Sequence, residues 1–516
     1  MAGSEDDLDD DVMDEFADVQ EGDDEPDIEF YGGKWASGIP LGLFIVWAIF
    51  QSGVLQIGDT SGLVAGMLVS LIVGMFFVKG SWAGYANTIF EGMTQRVAAT
   101  AIVAWLWAGM FAKTLQVGGF VDGLIWAADA LQVGAAVFPA VTFILAAILA
   151  TGIGTGYGTT IAFVTLFFPA GVLLGANPVL LFGAILSGAV FGDNIAPVSD
   201  TTIVSAVTQD SDIGGVVASR FKYAIIAAVL AFTGYIVAGF AMPTLSLEGT
   251  APLEGTPLGL AHLVSIAIVI VTAVRGRHIV EAISWGIVTA IVFNLALGLS
   301  SVADILAFEA PEGLATAQTL SWLPFVTLVP GGETGVSGSL YSGAFDFFPL
   351  IVLTLLIVAG ARIMIRGGGF EAMQDWLLNS VATNVTRAET TMVLGTGTIN
   401  AMITINTAAE IAIAPYIARI GERYNINGYR RANILDANTS ALGYIFPWAG
   451  GVLVGYAQMP GLVAEYGVDQ MLVQPISVVP FVFHGWLLVG VFLFAALTGF
   501  GREYTTDRAS EEVARV

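Results

Sequence analysis

The chain has 516 residues, of which 56% are hydrophobic and only 12% are charged. A soluble protein carries about a quarter charged residues, so this composition excludes an ordinary soluble protein and indicates a polytopic membrane protein. The sequence has no cysteine, which excludes disulfides, thiolate metal sites and thiol nucleophiles.

The net charge of −25 is concentrated near the N-terminus, where residues 1–30 hold 15 of the 43 acidic residues and no Lys or Arg. Such a segment cannot bury enough apolar surface to fold, so residues 1–35 are predicted to be a disordered acidic cytoplasmic tail. It has neither the basic start nor the apolar core of a signal peptide. Further acidic excess at 248–254 and 309–312 favours a salt-in halophile over a purely regulatory tail.

Apolar runs of about 20 residues, or fewer in broken helices, predict an all-α fold with about 12–14 transmembrane segments. In chain order the predicted spans are 36–56, 61–78, 97–113, 136–151, 159–175, 178–208 (interrupted), 221–243, 257–275, 279–299, 345–361, 389–404, 406–420, 432–456 and 476–499. The transmembrane domain is thus 36–499, followed by a cytoplasmic tail at 500–516. Short runs around 152–158 and 403–407 also fit re-entrant hairpins.

Basic residues orient these spans. They fall at span ends that alternate on one side, whereas 244–256 and 300–344 contain no Lys or Arg. By the positive-inside rule both termini are cytoplasmic, and we expect a multi-pass protein of the cell (cytoplasmic) membrane. Arg220 is counted among these span-end residues, and Lys113 is expected to snorkel to the interface.

Two segments of the chain share one pattern of spans and breaks. Residues 136–208 enter from the outside and 389–456 from the inside. Each has a span, a polar break, a second span and then a span interrupted by a polar stretch containing Asp. Similar elements with opposite entry sides predict inverted-topology repeats with broken helices.

The most informative motif reads Gly-Asp-Asn-Ile-Ala-Pro-Val-Ser-Asp-Thr-Thr at residues 192–202. A carboxylate at bilayer depth costs on the order of 3 kcal/mol, so Asp193 and Asp200 indicate a cavity that binds something. Pro197 breaks the helix between them and frees backbone carbonyls. Hard oxygen donors suit Na⁺ or a proton. The side chains that we expect to supply them are Asp193, Asp200, Asn194, Ser199, Thr201 and Thr202. The alternative is that Asp193 and Ser199-Asp200 are helix caps in an aqueous loop.

Alternating glycines and threonines occupy residues 151–160. No Gly-Lys-Ser/Thr follows them, which excludes a phosphate-binding loop. The glycines allow an unwound chain to pass close to a neighbouring helix, with Thr159 and Thr160 facing the cavity. A purely structural tight hairpin is the alternative.

The second segment offers its own candidates. Glu410 lies among apolar residues and is predicted to face the cavity or to handle protons, although Thr407 and Glu410 also have capping-box spacing. Asp436 is predicted either to bind an ion or to pair with Arg430 and Arg431. The full set of second-repeat candidates is Asn406, Thr407, Glu410, Asp436, Asn438 and Thr439.

Enzyme motifs are absent from the sequence. It contains no Gly-x-Ser-x-Gly, no His-Glu-x-x-His and no Walker lysine, so we expect no enzymatic activity, and transport would be powered by ion gradients.

The motif at 192–202, with Gly-Thr-Gly-Tyr-Gly-Thr-Thr at 154–160, resembles the NhaC family of Na⁺/H⁺ antiporters, whose pattern reads Gly-Asp-Lys/Asn-x-Ser/Ala-Pro-x-Ser-Asp-Thr-Thr. The resemblance implies secondary active exchange of Na⁺ for H⁺ across the cytoplasmic membrane. On physical grounds we expect Na⁺ and H⁺ to compete for Asp193 and Asp200 while the repeats expose this site to each side in turn by alternating access. Transported Na⁺ and H⁺ would be the substrates, with no cofactor. Asn194 stands where many relatives carry Lys, which leaves the number of exchanged ions open.

A Na⁺- or H⁺-coupled carrier of an organic carboxylate or amino acid is the leading alternative, and a passive channel or a sensor is a third. A carboxylate carrier should need a cationic partner, and no Lys or Arg lies inside the two central breaks, which favours cation exchange. Membrane lipid is the expected surrounding partner and nucleic acid is not expected. The sequence leaves open whether the chain forms a homodimer.

Overall fold

The protein is mostly helical in the residues that the computed structural model describes, 28–245, 255–330 and 334–505. The helices are α1 (Ile39–Ala48), α2 (Thr60–Met75), α3 (Trp82–Met93), α4 (Arg96–Val117), α5 (Phe120–Ala130), α6 (Phe138–Ile153), α7 (Gly156–Leu173), α8 (Pro178–Ile195), α9 (Asp200–Val207), α10 (Ile213–Ala241), α11 (His262–Val274), α12 (Ile279–Ala296), α13 (Val302–Ile305), α14 (Ala315–Leu320), α15 (Ser339–Phe345), α16 (Phe348–Arg366), α17 (Gly369–Trp376), α18 (Val385–Ile403), α19 (Asn406–Arg423), α20 (Gly428–Leu442), α21 (Gly450–Tyr456), α22 (Met459–Tyr466), α23 (Pro475–Val478) and α24 (Phe483–Thr498). Short 3-10 or π turns lie at Lys34–Gly38, Ile49–Val54, Pro257–Ala261, Leu377–Val381, Asp469–Met471 and Val479–Phe481.

Eight helices within the described ranges are long and apolar enough to cross a membrane, or nine if the pair Pro475–Phe481 and Phe483–Thr498, bent by 55°, counts as one span. Two shorter apolar helices, α2 and α6, also lie where spans are predicted. The helices α18, α19 and α20 correspond to the predicted second segment, and they carry more polar residues than the long apolar helices. The all-α polytopic fold predicted from the sequence is therefore confirmed.

Two stretches of the chain have the same order of elements. In the first, α6 ends at Gly154 in the left-handed region (φ 71°), one extended residue follows, and α7 and α8 lead to a break before α9. In the second, α18 ends at Thr404, also left-handed (φ 63°), one extended residue follows, and α19 and α20 lead to a break before α21. Each stretch thus contains a tight helical hairpin and a broken helix.

Local sequence explains where these helices start. Asn177 accepts a hydrogen bond from the Leu180 amide and precedes Pro178, the first residue of α8. Asn384 and Asn427 cap α18 and α20 in the same way through their side-chain oxygens. Asn at the N-cap satisfies an amide that has no helical partner, and Pro is tolerated in the first turn.

The outer helices expose apolar side chains and bury small ones. In α10, Val229 and Phe240 are more than half exposed, whereas Ala224, Ala227 and Ala231 are fully buried. An apolar outer face is what a lipid-facing helix requires, since the bilayer solvates it. These helices therefore surround the two broken-helix stretches.

The long basic-free connection 300–344 contains a small sheet in the order β2-β1-β3, formed by β1 (Ala307–Pro311), β2 (Val326–Val329) and β3 (Gly335–Ser337). Strand β1 pairs parallel with β2 and antiparallel with β3. The short helices α3, α5 and α17 lie between the longer helices in chain order.

Both ends of the described chain contact the helical domain. Phe30 is buried and bridges Val78, and Lys34 forms an ion pair with Glu371 on α17. Tyr504 bridges Ile426, next to the turn between α19 and α20. Three predicted features lie outside the described residues. They are residues 1–27 of the acidic tail, the acidic connection 248–254, and residues 506–516 of the C-terminal tail.

Candidate functional site

The motif at 192–202 forms the end of α8, a four-residue break and the start of α9. Asp193 and Asn194 lie in the last turn of α8, and the break contains Pro197. Asp193 is 3% exposed, whereas Asp200, the first residue of α9, is exposed even though Ser199 and Thr201 beside it are buried. Asp200 therefore lies at the accessible side of the break, which we call the vestibule, and Asp193 lies deeper.

Asp193 is held by residues from both stretches. The Ser199 hydroxyl donates to Asp193 Oδ1 over 2.8 Å, and the Tyr444 hydroxyl donates to Oδ2 over 3.3 Å. Ser199 and Thr201 hydroxyls are 3.0 Å apart. Tyr444 lies in the break after α20, so the break of the second stretch reaches the carboxylate of the first.

Gly156 allows this close approach. A Cβ at this position would lie 2.1 Å from the Tyr444 hydroxyl oxygen and 3.0 Å from Asp193 Oδ2. Any side chain there would displace one of the two groups.

Asp200 receives a hydrogen bond from the Thr407 hydroxyl in the first turn of α19. Next to Thr407, the backbone amide of Asn406 donates to the Tyr157 hydroxyl over 3.4 Å. The first turn of α19 therefore contacts both the start of α9 and the start of α7. These contacts bring the predicted residues Asp193, Asp200, Ser199, Thr201 and Thr407 to one place.

Glu410 lies one turn further along α19 and is fully buried. Its Oε1 accepts a 2.7 Å hydrogen bond from Thr439, whereas Oε2 is buried without a hydrogen-bond partner. A bare buried carboxylate oxygen is costly unless a cation or a proton satisfies it. The geometry thus fits the predicted ion- or proton-handling role.

Arg220, on α10, is the main residue that sequence reasoning missed. It is 0% exposed and forms a close ion pair with Asp436, which is equally buried. Its guanidinium also donates to the Asn194 carbonyl over 2.7 Å and to the Asn433 side chain over 3.0 Å. The expectation that Arg220 is a span-end residue is therefore wrong, because its side chain points inward to a buried carboxylate.

The remaining candidates lie near this centre with fewer shared contacts. Thr202 donates to Asp436 over 3.3 Å, and the Thr159 hydroxyl donates to the Thr155 carbonyl over 2.9 Å. The Asn438 amide donates to the Ile434 carbonyl over 2.6 Å. Several buried polar atoms have no hydrogen-bond partner: Thr160 Oγ1, Asn194 Oδ1, Asn400 Oδ1, Asn406 Nδ2 and Asn438 Oδ1.

The structure contradicts the capping alternatives for Asp193 and for Thr407 with Glu410, whereas Ser199 is the N-cap residue of α9, although its side chain makes no capping hydrogen bond. Asp193 lies inside α8, and the N-cap of α19 is Ile405, so Thr407 and Glu410 form no capping box. Their oxygens instead bond across to Asp200 and Thr439.

Three further expectations, about the second stretch and about charged residues, are wrong. Residues 436–440 lie within the continuous helix α20, and the break comes later, after Leu442. Asp436 does not pair with Arg430, whose Nε instead donates to Glu389 over 2.9 Å. Lys113 does not snorkel either: it is 7% exposed and lies 3.9 Å from Asp346.

No group of three or more His, Cys, Asp or Glu side chains within the described residues could hold a metal ion. The carboxylate, hydroxyl and amide oxygens that meet here are hard donors, which suit hard cations better than soft transition metals.

Comparison with known proteins gives one family. The family described as the Na⁺/H⁺ antiporter family matches residues 29–240 and 208–486. The chain is 25% identical over 432 residues to the arginine/ornithine antiporter of Halobacterium salinarum, covering 78% of this chain and 83% of that protein.

Two other relatives align over shorter stretches. Identity is 27% over 202 residues with the malate-2H⁺/Na⁺-lactate antiporter of Bacillus subtilis, covering 39% of this chain and 42% of the relative. It is 21% over 257 residues with the Na⁺/H⁺ antiporter NhaC of Alkalihalophilus pseudofirmus, covering 49% and 55%. These two alignments span about half the length of each relative.

Proposed function

The chain belongs to the Na⁺/H⁺ antiporter family, and from this premise we propose that it exchanges Na⁺ for H⁺ across the cytoplasmic membrane by alternating access. The observation that carries the proposal is the pair Asp193 and Asp200. Among the described residues, neither forms an ion pair within 4 Å, although both lie where two broken-helix stretches meet.

A carboxylate without a counter-ion in such a place is stabilised by a bound cation or by a proton. Na⁺ prefers hard oxygen ligands, which Asp193, Asp200, Ser199 and Thr201 supply together with the unsatisfied Asn194 Oδ1. Bound Na⁺ and a bound proton satisfy the same oxygens, so each displaces the other. This competition couples the two fluxes.

Alternating access requires two parts that move relative to the site. The first stretch has a helical hairpin that turns at Gly154 and a break before α9. The second has a hairpin that turns at Thr404 and a break before α21. This shared arrangement supports a pair of inverted repeats that rock about the central carboxylates. Contacts across the stretches, from Thr407 to Asp200 and from Tyr444 to Asp193, would be made and broken as the vestibule changes sides.

The contacts of the chain ends support cytoplasmic termini. Lys34 pairs with Glu371 on α17, and Gln374 of the same helix accepts a 2.7 Å hydrogen bond from Arg419. At the start of α20, Arg430 shares Glu389 with Arg502 of the C-terminal segment. The described parts of both ends therefore contact the basic helix ends that the positive-inside rule assigns to the cytoplasm.

Proteoliposome transport tests the proposal. We expect a pH gradient to drive Na⁺ uptake in the wild type and Asp200→Asn to abolish it, because the amide cannot exchange a proton for Na⁺. Asp129→Asn is the matched control, since Asp129 is exposed on α5, away from the centre. Full Na⁺-dependent proton flux in Asp200→Asn would show that the assignment is wrong.

The alternative is exchange of an organic solute, and the alignment along 83% of an arginine/ornithine antiporter favours it specifically. The exposed Asp200 could also bind an amino group, whereas Arg220 is already committed to Asp436 and offers no free cation for a carboxylate. Counterflow of labelled arginine, ornithine, malate or lactate separates the two. Uptake of any of these without Na⁺/H⁺ exchange would favour the alternative.

A further inference from the structure

We infer that Arg220 is a positioning residue for the exchange site, which fixes the broken end of α8 to α20 and neutralises Asp436 so that this carboxylate does not bind transported ions. The inference rests on the proposed function, because it assigns the structural support of that same site. Five hydrogen-bond partners of Arg220 carry it, and they come from the three helices α8, α9 and α20.

The first part of the inference concerns the end of α8. A helix end leaves backbone carbonyls without intrahelical partners, and the Asn194 carbonyl is such a group. Arg220 Nη1 donates to it over 2.7 Å. Asn194 follows Asp193 directly, so this bond fixes the turn that carries the deeper carboxylate.

The second part concerns Asp436. Its Oδ2 accepts from Arg220 and, over 3.3 Å, from Thr202, while its Oδ1 accepts from Ser440 over 2.7 Å. Both oxygens are thus occupied inside the protein. Asp193, Asp200 and Glu410 have no such cation at bonding distance within the described chain, so three of the four central acids remain for Na⁺ or H⁺.

The remaining contacts of Arg220 explain why an arginine is needed. Nε donates to Asn433 over 3.0 Å and Nη2 to Ser205 over 3.3 Å. The planar guanidinium makes these bonds on different edges at once, which the point charge of a lysine cannot do. The charged or polar groups around it are Asn194 of α8, Thr202 and Ser205 of α9, Glu410 of α19, and Asn433 and Asp436 of α20.

Charge-pair variants in proteoliposomes separate the two parts. Arg220→Met and Asp436→Asn alone each leave one buried charge without its partner, so we expect each to lower the maximal exchange rate at least about tenfold. The double variant leaves neither charge and should recover most of that rate. The Asn194 carbonyl still lacks its donor, so the KM for Na⁺ should stay raised by about tenfold.

Arg220→Lys is a second variant, to be used if Arg220→Met does not fold. It keeps the positive charge, so Asp436 is not left unpaired. We expect a near-normal maximal rate with a raised KM for Na⁺. Arg430→Met is the matched control, because Arg430 is equally buried against Glu389, which keeps Arg502 as a second partner. Its KM for Na⁺ should be unchanged.

The outcomes distinguish this inference from the proposed function. A wild type without Na⁺-dependent proton movement would contradict the function itself. With an active wild type, a double variant no better than the worse single variant would overturn charge neutralisation. A wild-type KM for Na⁺ in Arg220→Lys and in the double variant would overturn the positioning role.

Discussion

The Thr407 hydroxyl donates a hydrogen bond to the carboxylate of Asp200, which precedes it by 207 residues. One residue begins α9 after the first break, and the other lies in the first turn of α19 after the left-handed Thr404. This bond therefore joins the two broken-helix stretches at the carboxylate that faces the vestibule. A movement of one stretch relative to the other must change the surroundings of Asp200.

Replacing Thr407 by Val should weaken Na⁺ binding without unfolding the protein. Hydrogen bonds to charged groups contribute roughly 1.5–3 kcal/mol, so we expect the KM for Na⁺ to rise about tenfold or more. The measurement is Na⁺-dependent proton flux in proteoliposomes. Thr398→Val is the control, because the Thr398 hydroxyl is exposed and bonds only the Leu394 carbonyl. Equal KM values for both variants would contradict the prediction.

Adding one methyl group at Gly156 should abolish exchange. The new Cβ would meet the Tyr444 hydroxyl and Asp193 Oδ2, so the carboxylate or the tyrosine must move. We expect Gly156→Ala to lose at least about 90% of the exchange rate, because in enzyme active sites a misplacement of about 1 Å costs about two orders of magnitude in rate. Gly84→Ala, where the added group meets open space, should transport normally. Normal flux in Gly156→Ala would show that Tyr444 and Asp193 need not stay close.

An exposed pair at the end of α10 should give the folded protein a pH-dependent contribution to stability. The Asp212 carboxylate accepts hydrogen bonds from the Tyr429 hydroxyl, which has the larger effect, and from the Gly215 backbone amide. Both lower the pKa of that carboxyl below its ordinary value. Because the pKa of this carboxyl is lower in the folded state than in the unfolded state, it stabilises the folded protein at pH values above the unfolded-state pKa of about 3.9. This contribution is lost as the pH falls through the folded-state pKa.

Tyr429→Phe should therefore lower the Tm slightly at neutral pH, by an amount that shrinks as the pH falls below about 4. Thermal unfolding of the solubilised protein at several pH values measures this. A Tm difference that grows on acidification would have the wrong sign for this account.

The absence of native cysteine makes the proposed orientation testable with single introduced cysteines. Ser321→Cys lies in the basic-free connection beside the small sheet, and Glu422→Cys lies at the end of α19 between basic residues; both positions are exposed. An impermeant maleimide should label the first in intact cells and the second only after permeabilisation. The reverse pattern would invert the predicted topology.

Local sequence signals were sufficient for the first broken helix. Pro197 interrupts a helix because it lacks an amide donor, and the residues around it are polar. The break between Asp193 and Asp200 therefore lies where the sequence predicts it. The turn at 154–155 is equally local, because Gly154 supplies the left-handed conformation.

The second stretch could not be predicted as well because its polar residues are satisfied over long distances. Residues 436–440 read as a break, but Asp436 bonds Arg220, 216 residues away, and Thr439 bonds Glu410, so a polar helix remains intact in the centre. Arg220 follows the motif closely in sequence, yet its burial depends on that distant carboxylate. Span-end position alone cannot reveal such a partner.

The central claim is that Na⁺ and H⁺ compete for Asp193 and Asp200. The most direct measurement is proton release from the purified, weakly buffered protein on addition of NaCl, followed with a pH-sensitive dye and compared with choline chloride. The account predicts saturable proton release with NaCl alone, absent from the Asp193→Asn/Asp200→Asn double variant. No release from the wild type, or equal release from the double variant, would contradict it.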